Sequence, residues 1–412
     1  MTSKKSRPAA AKKSASDEAK PPLNVCHLAD VHLGYRRYGK LTPQGLNQRE
    51  VDINHAFSEA VTRIAELKPD ITLVVGDLFH AVRPSNSVLT FCFREIKRLV
   101  TLTKAPLVLV AGNHETPKRS DTGNVLRLFN EIPGVYVADQ SAEQFRFSDL
   151  DLSVLCLPHA SLSKLQKHEV RADDRFSHNI LAVHAQLDRN WISDFGGVDL
   201  SLSALSPNEW DYIALGHLHI FKEFGYNAAY SGSTEHTAAN IWAEGDRNKG
   251  FLQVLLPESK RIFHALSSPR EVVVLEPIDA AGLEPAKVSE LVDFALTNIP
   301  GGADGKIVRL TIHNLPREVY RQIDYKMVKR WRGRCLNLTL DTPIAAQGMG
   351  GVLPVLHRRG RLDSELREFC GLYPLQVSGR QEVENLLLSY LKQLEEQHEA
   401  HQASSETFSP AR

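Results

Sequence analysis

Five apolar, β-like runs recur through the first half of the chain, and each gives way to a short polar cluster. Val25 to Ala29 runs into Asp30-Val31-His32, Ile71 to Val75 into Gly76-Asp77, and Leu107 to Ala111 into Gly112-Asn113-His114-Glu115. Ile180 to Val183 is followed by His184, and Tyr212 to Leu215 by Gly216-His217-Leu218-His219. Between the first three runs the apolar spacing turns helical: Ile53, Phe57, Ala60, Val61 and Ile64 share one face of Val51 to Leu67, and Asn86 to Leu102 repeats the pattern. Strand, helix, strand, helix predicts an α/β layer structure, with the first three clusters in consecutive βαβ units. The polar clusters then fall at strand ends on one rim of a sheet, where a rigid scaffold can bring residues distant in sequence to a common point.

After Val135 the pattern becomes β-rich, read as hairpins. Phe145 to Phe147, Leu152 to Leu157, Ile180 to Ala185 and Tyr212 to Leu215 are expected in a second sheet, with Phe251 to Leu256 and Arg261 to Leu266 as a closing hairpin. The polar stretch Ser161 to His178 reads as a helical or loop insertion. Beyond Ser268 a new unit begins: strand Val272 to Glu276, helix Lys287 to Ile299, turn Gly301 to Gly305, strand Ile307 to Ile312, helix Arg317 to Arg330 and strand Leu336 to Leu340. The expected organisation is a basic disordered tail over 1–22, a catalytic domain over 23–268, a small α+β domain over 269–342 and a linker over 343–361. Helices follow over 362–398, then a disordered tail over 399–412. Within Gln381 to Gln397, Val383, Leu386, Leu387, Tyr390, Leu391 and Leu394 form an apolar stripe that must be covered, by its own domain or, the favoured reading after a linker, by a partner.

Charge changes this picture only locally. Lys and Arg number 49, as do Asp and Glu, so the chain does not present a uniformly basic surface to a polyanion. The first 22 residues carry Lys4, Lys5, Arg7, Lys12, Lys13 and Lys20, a solvated tail or a weak electrostatic tether to nucleic acid. Lys326, Lys329, Arg330, Arg332 and Arg334 surround Trp331, which reads either as a nucleic-acid-facing patch with a stacking aromatic or as a solvated helix face. No apolar run approaches the ~20 residues that span a bilayer, and a secretory leader is not expected; a soluble, cytoplasmic protein without membrane contact is. Five cysteines without Cys-x-x-Cys spacing read as reduced, mostly buried thiols.

Carboxylate, amide oxygen and imidazole together suit divalent Mn, Fe or Zn, and the lack of thiolates argues against a closed structural zinc site. Asp77 is the best candidate to bridge two ions. Such a pair lowers the pKa of water and neutralises phosphate oxygens, so phosphoester hydrolysis is the natural reaction. His114, directly after Asn113, can face the substrate and stabilise phosphorane charge or protonate the leaving oxygen.

The ordered series D-x-H, GD, GNH, lone H and GHxH resembles the calcineurin-like metallophosphoesterases. Within them, segments 27–35, 76–80, 212–219 and 230–233 resemble the SbcD-type nuclease subunits of double-strand-break repair complexes. The resemblance implies a two-sheet metallophosphoesterase sandwich flanked by helices, a DNA-capping domain at 269–342 and two Mn²⁺ ions. One ion would take Asp30, His32, Asp77 and His219, the other Asp77, Asn113, His184 and His217, with His80 a further histidine beside them. It also implies a homodimer, exonuclease and endonuclease action on DNA, and an SMC-like coiled-coil ATPase joined through the C-terminal helices. Glu115, where the family often has Asp, and Ser233-Thr234-Glu235-His236 depart from its pattern. Arg36, Arg37 and Tyr38 could touch the DNA backbone or form a solvated loop; Lys329, Arg330 and Arg332 are the further DNA candidates. His27, His55, His159 and His236 are expected in structural or surface roles. The same metal chemistry would serve a phosphodiesterase or phosphatase for small nucleotides or phosphoproteins, and a DNA-end-binding scaffold is the reading of another class.

Overall fold

The computed structural model describes residues 22–119, 122–163, 170–187, 199–343, 383 and 385–390. Two six-stranded sheets pack face to face. The first runs β14–β13–β1–β2–β3–β4, with β1 Leu23–Leu28, β2 Ile71–Val75, β3 Leu107–Val110, β4 Val135–Ala138, β13 Gly250–Leu256 and β14 Lys260–Ala265. The second runs β11–β12–β10–β7–β6–β5, with β5 Glu143–Phe147, β6 Leu152–Leu157, β7 His178–His184, β10 Tyr212–Gly216, β11 Lys222–Phe224 and β12 Ala228–Tyr230. A two-residue pair, β8 Gln186–Leu187 with β9 Asp199–Leu200, lies apart from both.

Side-chain alternation divides the core. Ile71, Leu73 and Val75 of β2 and Val108 and Val110 of β3 point inward against Val154, Cys156, Ile180, Ala182 and Ala214. The opposite face, with Val74, Leu107 and Leu109, is covered by helices α1 Gln48–Leu67 and α2 Asn86–Thr103. The apolar stripe of α1 is buried as its spacing predicts, but the helix begins a turn earlier because Asn47 caps it, its side chain accepting from the Arg49 backbone N–H. A third apolar layer, including Leu181, Leu215, Trp210 and Tyr230, covers the outer face of the second sheet.

Two expectations about pairing are corrected. The second sheet is not built of hairpins: β6, β7, β10 and β12 are mutually parallel neighbours, and only β5 and β11 run antiparallel at its edges. The 250–265 hairpin closes the first sheet, where β13 pairs antiparallel with β1. Of the segment Ser161 to His178, expected as an insertion, only the start is helical among the described residues, at the end of α3 His159–Leu162.

Residues 272–341 form their own core on a four-stranded sheet: β15 Val272–Val274, β16 Ile278–Asp279, β17 Ile307–His313 and β18 Asn337–Asp341, all parallel. Helix α4 Pro285–Thr297 supplies Val288, Val292 and Leu296 to this core. The single helix expected over 317–330 is two, α5 Arg317–Tyr320 and α6 Tyr325–Arg334, because Asp324 caps a new helix by accepting from the Lys326 and Met327 N–H groups. Residues 346–412 constitute a separate unit, of which 385–390 are helical with Leu386 and Tyr390 exposed. The linker, the helix expected at 362–369 and both tails lie outside the described residues, apart from Pro22 and the start of the linker at Pro343. No described helix is long and apolar enough to cross a membrane.

Candidate metal centre

Parallel pairing puts the ends of β1, β2 and β3 side by side, and those of β7 and β10 across the sandwich from them. All seven proposed ligands lie on this rim. The backbone there is unusual: Asp30, His32, Asp77 and His217 all have positive φ, at 53°, 53°, 51° and 104°. Such a conformation costs an L-residue free energy and persists only where surrounding structure enforces it. The motif glycines have a steric reason. A Cβ on Gly112 would lie 2.1 Å from Asp77 Oδ1, and one on Gly76, itself at φ 83°, would lie 1.9 Å from His184 Nδ1.

Ligand atoms of Asp30, His32 and His219 come within 4.8 Å of one another, as do those of Asp77, His184 and His217. Asp77 Oδ2 stands between the groups, 3.8 Å from His32 Nε2 and 3.4 Å from His184 Nε2. Asn113 Oδ1 lies 3.1 Å from His184 Nε2 and 3.2 Å from His217 Nδ1. The donor set fits divalent cations. His32 Nε2 and His219 Nε2 face each other at 3.0 Å, an arrangement that two lone pairs disfavour and a shared cation relieves. The other ring nitrogen of His184 donates to Val75 O at 3.0 Å, and that of His219 meets Thr237 Oγ1 at 3.2 Å, so both Nε2 atoms are left as ligands. His217 Nε2 is buried and has no partner among the described residues.

The electrostatics express the same crowding of like and unlike charge. Burial pushes the Asp30 carboxyl up to about 7, with Asp77 adding repulsion. Burial would also raise Asp77, but His184, His32 and His114 together hold it well below the usual carboxylate range. Burial takes the His32 imidazole down to about 3. It acts the same way on His184, which the Asp77 and Asp30 carboxylates nevertheless raise to about 10.

Above this rim lies a cavity of 460 Å³ lined by His80, His114, Tyr35, Arg37, Leu218 and Thr237 as well as ligand candidates. His114 is anchored twice: its backbone N–H donates to Asp77 Oδ1 at 2.9 Å and its Nδ1 to His80 O at 2.7 Å. His80 Nδ1 is 3.3 Å from His32 Nδ1, so His80 touches a ligand's far side as well as the cavity.

Several residues that hold the site carry no role in the sequence-based expectation. Glu115, placed there in the third polar cluster and noted as a departure but given no role, is fully buried and accepts from the N–H groups of Asp77, Phe79 and Gly112 at 3.1, 2.6 and 2.9 Å. Arg49, the largest fully buried side chain among the described residues, bonds Asp52, Glu235 and the His236 carbonyl. Lys249 donates to His219 O at 2.7 Å and pairs with Glu244. Their partners are far away in sequence, and no local spacing announces them.

The DNA candidates divide. Arg37 lines the cavity and bonds Tyr35 and the Ala238 and Ala239 carbonyls, while Arg36 pairs with Glu50. Tyr38 does not present its ring to a ligand: it packs on Ile241, Val272, Ile307 and Leu336, with its hydroxyl buried. Trp331 is not a stacking platform either, since it is 4% exposed and its indole N–H donates to Asp293. Arg330 pairs with Asp293, leaving Lys329 and Arg332 exposed. His27 and His236 are buried and His159 partly so, as structural roles require.

Oxygen and nitrogen donors converge on the rim of a two-sheet α/β sandwich, an arrangement suited to divalent-metal phosphoester chemistry. Residues 23–221 match the calcineurin-like phosphoesterase family. The chain is 31% identical over 236 residues to the DNA double-strand break repair protein Mre11 of Methanocaldococcus jannaschii, covering 55% of this chain and 61% of that one. It is 25% identical over 241 residues to the protein of the same name from Methanococcus maripaludis, covering 56% and 62%. In both cases the match spans less than two thirds of the relative's length. A dimetal phosphatase from Danio rerio aligns with a TM-score of 0.39 and 10% identity, covering 60% of this chain and 97% of that one.

Proposed function

We propose that this protein is a metal-dependent DNA nuclease that hydrolyses phosphodiester bonds at DNA ends or hairpins during double-strand-break repair. The observation that carries the reading is the convergence of seven donors in two groups about Asp77, beneath an open cavity. Similarity to the Mre11 proteins supports DNA as the substrate. Asp30, His32, Asp77 and His219 would hold one Mn²⁺, and Asp77, Asn113, His184 and His217 a second. Two such ions neutralise phosphate oxygens and bring the pKa of water near neutrality. His114 is the proton carrier. With Nδ1 committed to the His80 carbonyl, its Nε2 is left to protonate the departing oxygen or to bind developing phosphorane charge. His80 positions His32 and faces the substrate from the same wall. Residues 23–268 form the nuclease domain and 269–342 the cap; a homodimer and an SMC-like ATPase complete the assembly.

The test is cleavage of labelled duplex and hairpin DNA with Mn²⁺, beside a generic phosphodiester and a phosphopeptide. His114→Ala is expected to lower DNA cleavage about 10²–10⁴-fold while elemental analysis still finds both ions. Turnover of the small substrates with intact DNA would replace this reading with a small-molecule phosphoesterase.

A further inference from the structure

Residues 40–47 form a compact hairpin that none of the chemistry above uses. It begins three residues after Arg37, which lines the cavity, and ends at the residue that caps α1. Its geometry is tightly specified. Thr42 N–H donates to Leu46 O at 2.8 Å, Gly45 N–H to Thr42 O at 2.9 Å, Leu46 N–H to Thr42 Oγ1 at 3.2 Å, and Gln48 N–H to Lys40 O at 3.0 Å. Gly45 takes the left-handed conformation, φ 78°, that such a turn needs. The base is fastened to the cap: Lys40 Nζ donates to the carbonyls of Gly333 and Cys335 at 3.1 and 2.7 Å, at the C-terminal end of α6.

On this rigid support two large aliphatic side chains face water. Leu41 is 59% exposed and Leu46 52%. A single exposed leucine needs no explanation, but two on one hairpin with fixed backbone make a preorganised apolar tip. Basic side chains stand beside it. Arg36, its side chain 61% exposed and paired with Glu50, precedes it, and the Lys40 contact sets the last turn of α6, with exposed Arg332, against its base. Apolar tips flanked by cations suit a nucleic-acid end, where phosphates meet the charges and an aliphatic wedge enters between bases.

We propose that the 40–47 hairpin is a wedge that unstacks the terminal base pair of duplex DNA and delivers one strand to the cavity. This rests on the nuclease reading and names its substrate class more closely: ends that the protein itself frays. Leu41→Ser/Leu46→Ser removes the tip, while Thr42, Gly45 and Lys40 keep the hairpin. In the full-length chain with Mn²⁺, this variant is expected to cut blunt duplex about 10-fold more slowly than the parent, yet to cut a fork with unpaired ends within about 2-fold. A readout independent of cleavage is 2-aminopurine at the terminal pair. In a His114→Ala background its fluorescence rises on binding if Leu41 and Leu46 are present, and stays low if they are serines.

Equal loss on blunt and forked DNA, or unchanged cutting of both, overturns the wedge. So does a shift of oligomeric state by light scattering in the double-serine variant with no change in fluorescence, which would assign the leucines to a second copy of the chain. A parent protein that cleaves no DNA at all would instead overturn the nuclease reading.

Discussion

At the residue scale, the site depends on groups that never touch a substrate. Glu115 is the clearest, because one carboxylate gathers N–H groups from the loops after β2 and β3, and those loops carry Asp77 and Asn113. Its removal leaves three buried donors without an acceptor. Leaving a buried donor unsatisfied costs about 1–3 kcal/mol and such costs do not add fully, so Glu115→Ala is expected to cost about 2–4 kcal/mol in urea unfolding. Calorimetric titration should show weaker Mn²⁺ binding as well; full stability with intact metal affinity would refute the role. The candidate ligands themselves were legible in the sequence because each follows an apolar run that must end at the rim. Glu115 was legible only as a residue type. What it binds became visible only when β2 and β3 were paired, since nothing in a local spacing relates it to the Asp77 and Phe79 amides.

At the scale of elements, apolar period identified the strands and helices well but did not select partners. A period of two says which face of a strand is buried, not which neighbour it joins, and so the 250–265 hairpin was assigned to the wrong sheet. Trp331 shows the reverse case. The basic residues around it suggested exposure, whereas Met327, Val328 and Trp331 have the spacing of a buried helical stripe, and packing prevailed. Helix α1 holds the segment 267–270 through pairs far apart in sequence. Asp52 binds Arg270, and Glu59 accepts from the backbone N–H groups of Ser267 and Ser268 and from the Ser267 hydroxyl. Burial alone would raise the Glu59 carboxyl, but these bonds outweigh it and bring it from 4.5 to about 2. A folded-state pKa below the unfolded one stabilises fully above the unfolded value and fades as pH falls through the folded one. Glu59→Gln should therefore lower the urea midpoint at pH 7, and the gap to the parent should narrow progressively below pH 4.5 toward 2. A gap independent of pH would show that the carboxylate charge does not matter there.

At the scale of the whole molecule, the loops that wall the cavity are also those that hold the 272–341 layer. Residues 35–40 supply Tyr35 and Arg37 to the cavity, then Tyr38 and Lys40 to the cap interface. Residues 237–244 do likewise: Thr237, Ala238 and Ala239 face the cavity, while Ile241 and Trp242 pack with Val272 and Ile307. The cavity walls and the 272–341 layer thus share connecting segments, and all seven candidate ligands lie within the unit that ends at Ala345. The remaining unit contributes none of the candidate ligands, and its described helix carries Leu386 and Tyr390 exposed. An apolar helix face that does not serve the active site suits recruitment of a partner helix. Deleting 362–412 is accordingly expected to leave Mn²⁺-dependent cleavage within about 2-fold of the undeleted chain, because every candidate ligand lies outside the deleted segment. The same deletion should abolish co-purification with an SMC-like coiled-coil ATPase from the native host. Undiminished capture of that ATPase would move its docking surface onto the catalytic or cap domain, and lost cleavage would mean that the C-terminal unit supports the rim after all.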